Sequence, residues 1–356
     1  MLPAFWAEIF RTARRHRTLY KQQVFPVKIL AGDIGGTHTR LALFEVESGR
    51  LHCLYEAVYP SAEHASLDAI VERFLESAGM ACRLACFGLA GPVRNRRCKT
   101  TNLPWLVDAE TMEKASGLAR VWLINDLEAT AWGIAGLGAD DFHTLQKGDH
   151  KARGNRCVIA AGTGLGEAGL YWDGSRYRPF ATEGGHADFA PRNTLEFALL
   201  EYLGQRFGHV SWERLVSGPG LVAIYRFLKD YRKQAEPDWL TGALRQGDAA
   251  AVISSAALER RCPVCAEALD LFVEFYGAEA GNLALKHMAT GGVYIGGGIA
   301  PKILPKLKEG GFLRAFNAKG RMEPLLQAMP VHVIVNDRAA LYGPGLYAMA
   351  RRETAA

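Results

Sequence analysis

Twice in this chain, about 130 residues apart, an apolar run ends in a glycine-rich corner and turns straight into a second extended run. In the first instance Val27–Ala31 leads into Gly32-Asp33-Ile34-Gly35-Gly36-Thr37-His38-Thr39-Arg40 and on to Leu41–Val46. In the second, Cys157–Ala161 leads into Gly162-Thr163-Gly164-Leu165-Gly166 and on to Glu167–Trp172. Runs this short, bounded by glycine, read as strands rather than helices. A glycine corner lets the backbone approach closely and turn its N–H groups inward, the arrangement that holds a phosphate. Because each corner joins strand to strand, neither is a Walker loop nor the dinucleotide fingerprint. Two such corners predict a molecule built from two α/β halves that face each other across a cleft. A plain hairpin turn is the simpler reading of either corner taken alone.

The intervening pattern supports the first half. Leu51–Tyr59 reads as a third strand, Ser66 as a helix cap followed by an apolar face of Leu67, Ile70, Val71, Phe74 and Leu75, and Arg83–Leu89 as a fourth strand. Asp108–Ser116 reads as a helix before a strand at Val121. Three strands, helix, strand, helix, strand is the order of a ribonuclease-H-like module.

That last strand, Val121–Ile124, runs directly into Asn125 and Asp126, and Leu127–Ile134 has helical character. Both polar residues therefore sit at the C-terminal lip of a strand, the edge where α/β sheets bind ligands. A carboxylate there can accept a proton from a substrate hydroxyl, and an amide can both donate and accept. The alternative is that the pair only caps the next helix.

Further candidates follow. Asp33 lies inside a phosphate-binding corner, where an acid repels the anion unless Mg²⁺ or its water shell intervenes. In Glu183-Gly184-Gly185-His186 two glycines separate an acid from an imidazole, so one small polar ligand can meet both. Glu213 stands in the first turn after Ser211, where capping is its structural reading. Gly296-Gly297-Gly298 is a third glycine run, following the strand-like Gly292–Ile295. Ala249–Arg260, Cys265–Met288 and Leu341–Ala350 read as helices, and Pro330–Val335 as a last strand.

The net charge of +5 excludes little until it is located. Residues 1–28 hold Arg11, Arg14, Arg15, Arg17, Lys21 and Lys28 against Glu8 alone, so the rest of the chain is formally neutral and no nucleic-acid-binding core is indicated. The basic extension lacks the long apolar stretch of a secretory signal, and no run of 18 or more apolar residues suggests a membrane span. Seven scattered cysteines predict reduced thiols and a cytoplasmic location. Cys262-Pro-Val-Cys265 has metal spacing, but no second pair completes a four-ligand zinc site.

In combination, Gly32-Asp-Ile-Gly-Gly-Thr37, Ile124-Asn-Asp126, Gly162-Thr-Gly-Leu-Gly166, Glu183-Gly-Gly-His186, Ser217-Gly-Pro-Gly220 and Gly296-Gly-Gly298 resemble the bacterial glucokinase family, a branch of the sugar-kinase, Hsp70 and actin superfamily. The match runs from about Ile29 to Tyr347. The resemblance implies a two-domain actin-like fold with residues 1–28 as an extension, 29–135 as a small domain completed by a C-terminal helix within 337–356, and 136–336 as a large domain. It implies transfer of the γ-phosphate of ATP to the 6-hydroxyl of glucose, with Mg²⁺, in a homodimer without nucleic-acid or membrane partners. By motif position Asp126 is the general base, and Asn102, Asn125, Glu183, His186 and Glu213 are the other sugar-binding groups. Gly32, Asp33, Ile34, Gly35, Gly36 and Thr37 form the first phosphate loop, Gly162, Thr163 and Gly164 the second, and Gly296, Gly297 and Gly298 the adenosine-side loop. The resemblance also implies that Asp33 holds Mg²⁺ through water.

Phosphoryl transfer through a loose transition state needs only a modest base, so an ordinary aspartate with a pKa near ~3.9 is expected to suffice. Two positions depart from the family: His38 replaces a common Asn, and Glu167 stands where an apolar residue is expected, with consequences for the phosphate side if it points inward. A sugar-sensing regulator is the rival from another class, but 28 residues are too few for a helix-turn-helix ahead of the first strand, and no cysteine follows His186 until Cys262. A kinase of another sugar, such as fructose or N-acetylmannosamine, or one using polyphosphate as donor, is the third reading.

Overall fold

Two sheets with the same strand order carry the molecule, a computed structural model that describes residues 26–149 and 151–352. The basic extension through residue 25 and the last four residues lie outside the described residues. The first sheet is ordered β3-β2-β1-β4-β8, from β1 (Val27–Ile34), β2 (His38–Glu47), β3 (Arg50–Pro60), β4 (Leu84–Leu89) and β8 (Arg120–Asn125). Hairpins make β1, β2 and β3 antiparallel, whereas β1, β4 and β8 are parallel. That is the ribonuclease-H-like module the element order predicted.

The second sheet repeats the plan as β12-β11-β10-β13-β14, with β9 (Phe142–Gln146) added antiparallel at its edge. Its strands are β10 (Arg156–Ala161), β11 (Leu165–Trp172), β12 (Tyr177–Thr182), β13 (Gly292–Gly296) and β14 (Val331–Ile334). Neither β9 nor β12 was legible as a strand. Both lie at sheet edges with partly exposed side chains, and β12 tolerates Pro179 because an edge strand can lose a ladder hydrogen bond. A small third sheet, β5 (Val93–Arg94), β6 (Arg97–Lys99) and β7 (Leu106–Asp108), flanks the polar loop that carries Asn102.

Helices cover the sheets. Ser66 caps α1 (Leu67–Ala78) by accepting from the Ala69 N–H at 3.3 Å, its apolar face packs under the first sheet, and Gly79 ends it. Asp108 caps α2 (Ala109–Ser116). The second sheet is backed by α4 (Thr194–Phe207), α5 (Gly218–Tyr231), α6 (Asp238–Gln246), α7 (Ala249–Leu258) and the long α8 (Pro263–His287), joined by the short α9 (Leu304–Leu307), α10 (Gly311–Asn317) and α11 (Glu323–Gln327). The Cys262-Pro-Val-Cys265 motif proves to be a helix start, with the Cys262 sulfur accepting from the Cys265 N–H at 3.4 Å.

Two helices join the halves. In α3 (Asp126–Gly133) Ala129 packs with the first sheet, and Ala131 meets Val158 and Ala168 of the second. The chain returns through α12 (Ala339–Arg351), which crosses α3 so closely that a side chain on Gly343 would collide with the Ala129 carbonyl.

Candidate active site

The first glycine corner closes the β1–β2 hairpin, and its N–H of Gly35 donates to the His38 carbonyl at 3.0 Å. Its shape is held from the end of β3. The Ser61 hydroxyl donates to the Gly35 carbonyl at 2.8 Å, and the Ser61 N–H donates to the Thr37 carbonyl at 3.0 Å. Sequence reasoning missed Ser61, since an isolated serine 24 positions beyond Thr37 gives no local signal. Gly36 lies against Asn102: a Cβ there would stand 2.7 Å from the Asn102 Cβ, so the corner and the predicted sugar-binding amide are neighbours. His38 is exposed at the corner's rim.

Asp33 is partly covered at the mouth of β1, and burial pushes its carboxyl up to about 6. Arg40 opposes that rise and Asp337 adds to it; the two form an ion pair at 2.8 Å beside Asp33. Neither Arg40 nor Asp337 was singled out from sequence, because the bridge joins positions 297 residues apart.

At the end of β8 the capping reading of Asn125-Asp126 holds, and the cap does not use up the pair's polar groups. The Asn125 side-chain oxygen accepts from the N–H groups of Leu127 (2.9 Å) and Glu128 (3.3 Å), which is a helix cap. Its amide NH₂ donates to the Gly91 carbonyl across 3.5 Å, a weak bond that leaves donor capacity for a ligand. Asp126 accepts from the Leu127 N–H through one oxygen at 2.9 Å. The expectation of an ordinary carboxylate fails here. Burial pushes Asp126 up to about 7, the Leu127 N–H pulls it down, and the negative charges of Asp33 and Glu183 raise it further. Desolvation disfavours the charged form, and no cation among the described residues answers it.

Glu183, His186 and Glu213 come together from two short turns, Gly184–His186 and Trp212–Arg214. The His186 ring places Nε2 3.8 Å from Glu183 and Nδ1 3.8 Å from Glu213. Capping does not explain Glu213: its Oε2 accepts from the Leu165 N–H at 3.0 Å, directly against Gly164 of the second corner. One carboxylate thus touches both a predicted phosphate loop and the predicted sugar group His186.

The second and third glycine runs are adjacent. Gly297, at φ +82°, sits against the Ala161 carbonyl where a side chain would clash, and the Ile299 N–H donates to that carbonyl at 3.3 Å. Ser217-Gly-Pro-Gly220 begins α5 and braces the second corner, with the Gly218 N–H donating to the Gly162 carbonyl at 2.8 Å. Positions 162 and 298 face open space on the side where a Cβ would project, and Thr163 is exposed. Glu167 does not reach this surface. It is 1% exposed and turns inward beneath Gly184.

The profile of the glucokinase family matches residues 30–351. A glucokinase from Nostoc punctiforme is 47% identical over 335 residues, spanning 90% of this chain and 98% of that one. Among solved structures, a glucokinase from an Antarctic psychrotroph superposes with a TM-score of 0.79 at 30% identity, covering 91% of this chain and 99% of its own. A glucokinase from Balamuthia mandrillaris, solved in complex with glucose, shares the fold at 22% identity and a TM-score of 0.77, covering 96% and 99% of the two chains. A match of this extent places the chain in the glucokinase family.

Proposed function

We propose that Asp126 is the general base in transfer of the γ-phosphate of ATP to the 6-hydroxyl of glucose. The observation that carries this is the carboxylate itself: it is fixed by one N–H at the lip of β8, is raised to about 7, and shares its surroundings with Asp33 and Glu183. A base near neutrality accepts a hydroxyl proton far better than one at the ordinary value while remaining substantially ionised at working pH. Asn102, Asn125, Glu183, His186 and Glu213 are assigned to the sugar hydroxyls. Carboxylates and amides that pair with each hydroxyl reject sugars lacking or inverting one.

The corners at Gly32–Thr37 and Gly162–Gly164 are assigned to the phosphates, and Gly296–Gly298 to the adenosine side. Asp33 suits Mg²⁺ bound through water. Among the described residues no three acids, histidines or cysteines form a metal cage, and a single carboxylate plus substrate phosphates is how Mg²⁺ is usually held. When bound, the ion neutralises charge on the transferring phosphoryl oxygens.

The sheets are read as two lobes, 29–135 with the closing helix and 136–336, that close on the sugar. A cytoplasmic homodimer with no nucleic-acid or membrane partner completes the reading. All seven cysteines are free thiols, and no helix among the described residues is long and apolar enough to cross a membrane. Sedimentation equilibrium tests the dimer.

The deciding experiment is Asp126→Asn assayed by coupled ADP release. Sugar affinity is expected within several-fold of the parent and kcat lower by roughly 10²–10⁴. Parent-like turnover would remove Asp126 from the base role.

A further inference from the structure

Beneath the Glu183–His186 turn the fold buries two carboxyl groups against each other. Glu167 of β11 is 1% exposed and Glu279 of α8 is not exposed at all, and the two carboxyl groups face one another, the Oε1 atom of each lacking a hydrogen-bond partner. Two carboxylates have no hydrogen to share, so the contact requires one proton. The surroundings decide who carries it. Glu279 accepts from Asn282 at 2.8 Å and faces Lys286, whose ammonium is 3.8 Å away, with Lys319 acting from beyond α10. Tyr276 of α8 and Cys157 of β10 also stand near Glu167 and supply no positive charge, and the pull of Lys286 on Glu167 is weaker than the opposing push of the Glu279 charge. Glu279 is thus the ionised partner and Glu167 the protonated one; burial followed by the charge of Glu279 holds the Glu167 carboxyl well above the usual range.

The pair bears on the site through Gly184. The Glu167 Oε2 atom lies where a Cβ on Gly184 would be, and the Glu167 carbonyl accepts from the Thr182 hydroxyl at 3.1 Å at the base of the same turn. We propose that the Glu167–Glu279 pair, by sharing a single proton, is the floor that positions the Glu183–His186 turn for sugar binding, so that losing the proton loosens the turn and weakens sugar affinity. A second buried charge under the turn would need hydration that the packed floor does not admit, and the turn is the cover that can lift. The inference rests on the proposed sugar role of Glu183 and His186. Glu167 is a positioning residue, touching neither substrate.

The test follows the KM for glucose, the KM for ATP and kcat from about pH 8, where Asp126 is already ionised, to about pH 10, alongside the infrared carboxylic-acid C=O band of the intact protein. The parent is expected to show a buried acid band that fades as pH rises, with the KM for glucose climbing roughly 3–10-fold while kcat and the KM for ATP stay level. Glu167→Gln, which keeps a donor facing Glu279 and removes the titrating proton, is expected to lack that band and to hold the KM for glucose flat. Glu279→Gln is expected to flatten it likewise. No acid band at about pH 8, or a band that titrates above it while the KM for glucose stays constant, overturns the inference, and both are read on the parent protein even if a variant does not fold. Glu183→Gln, run in parallel, separates the two claims: an unchanged KM for glucose there overturns the turn's sugar role itself.

Discussion

The Asp126 carboxyl decides how activity should respond to pH. As a base it works deprotonated, so kcat/KM is expected to rise with pH through about 7, where the free enzyme's group titrates. Glu183→Gln removes one of the negative charges that raise Asp126, so it should move that limb to lower pH as well as raising the KM for glucose. A limb that stays in place would show that the two carboxylates do not share a site. The raised value also has a stability consequence. A carboxyl that binds its proton more tightly folded than unfolded stabilises the fold at low pH, and that contribution is lost as pH climbs from about 4 through about 7. Asp126→Asn should therefore flatten the thermal-melting profile across that window. At the second corner Gly162→Ala meets no protein atom and needs no unusual backbone angle. It should leave stability within about 0.5 kcal/mol, as for a surface substitution, while raising the KM for ATP. A normal KM would mean that no phosphate approaches there.

The α3–α12 crossing is the element on which the two halves depend. Gly133 lies against the Ala339 carbonyl and Gly343 against the Ala129 carbonyl, so the helices meet backbone to backbone. Such an approach leaves no room for a methyl group. Gly343→Ala should destabilise the protein by about 1–3 kcal/mol, the usual cost of overpacking, measured by urea unfolding. An unchanged midpoint would show that the crossing relaxes freely. Pro344 follows directly inside α12 and removes one hydrogen bond from that helix, so the crossing sits where α12 is least reinforced.

For the whole molecule, two sheets of one strand order each end in a glycine corner, and the groups assigned to sugar come from both. Asn102, Asn125 and Asp126 belong to the first sheet's loops; Glu183, His186 and Glu213 belong to the second. A sugar that bonds to all of them must draw the halves together, which also excludes water as the competing acceptor. Small-angle scattering should show a smaller radius of gyration with saturating glucose than without. An unchanged radius would argue for a preformed site.

Much of this was written locally and could be read locally. The corners, the strand ending in Asn125-Asp126, the cap at Ser66 and the stop at Gly79 depend on residues within a few positions of one another, where backbone preference and side-chain reach decide the outcome. The β3-β2-β1-β4-β8 plan of the first half followed from element order alone, whereas its full repetition in the second half hinged on β12, which no local signal marked. What needed the tertiary structure was everything set by burial or by contacts distant in sequence. Ser61 bracing Gly35, Arg40 paired with Asp337, Glu213 reaching Leu165, and Glu167 meeting Glu279 join segments dozens to hundreds of residues apart. The shift of Asp126 belongs to the same class, because a carboxyl's affinity for its proton is fixed by the water it loses and the charges it faces, and only the packed molecule supplies either.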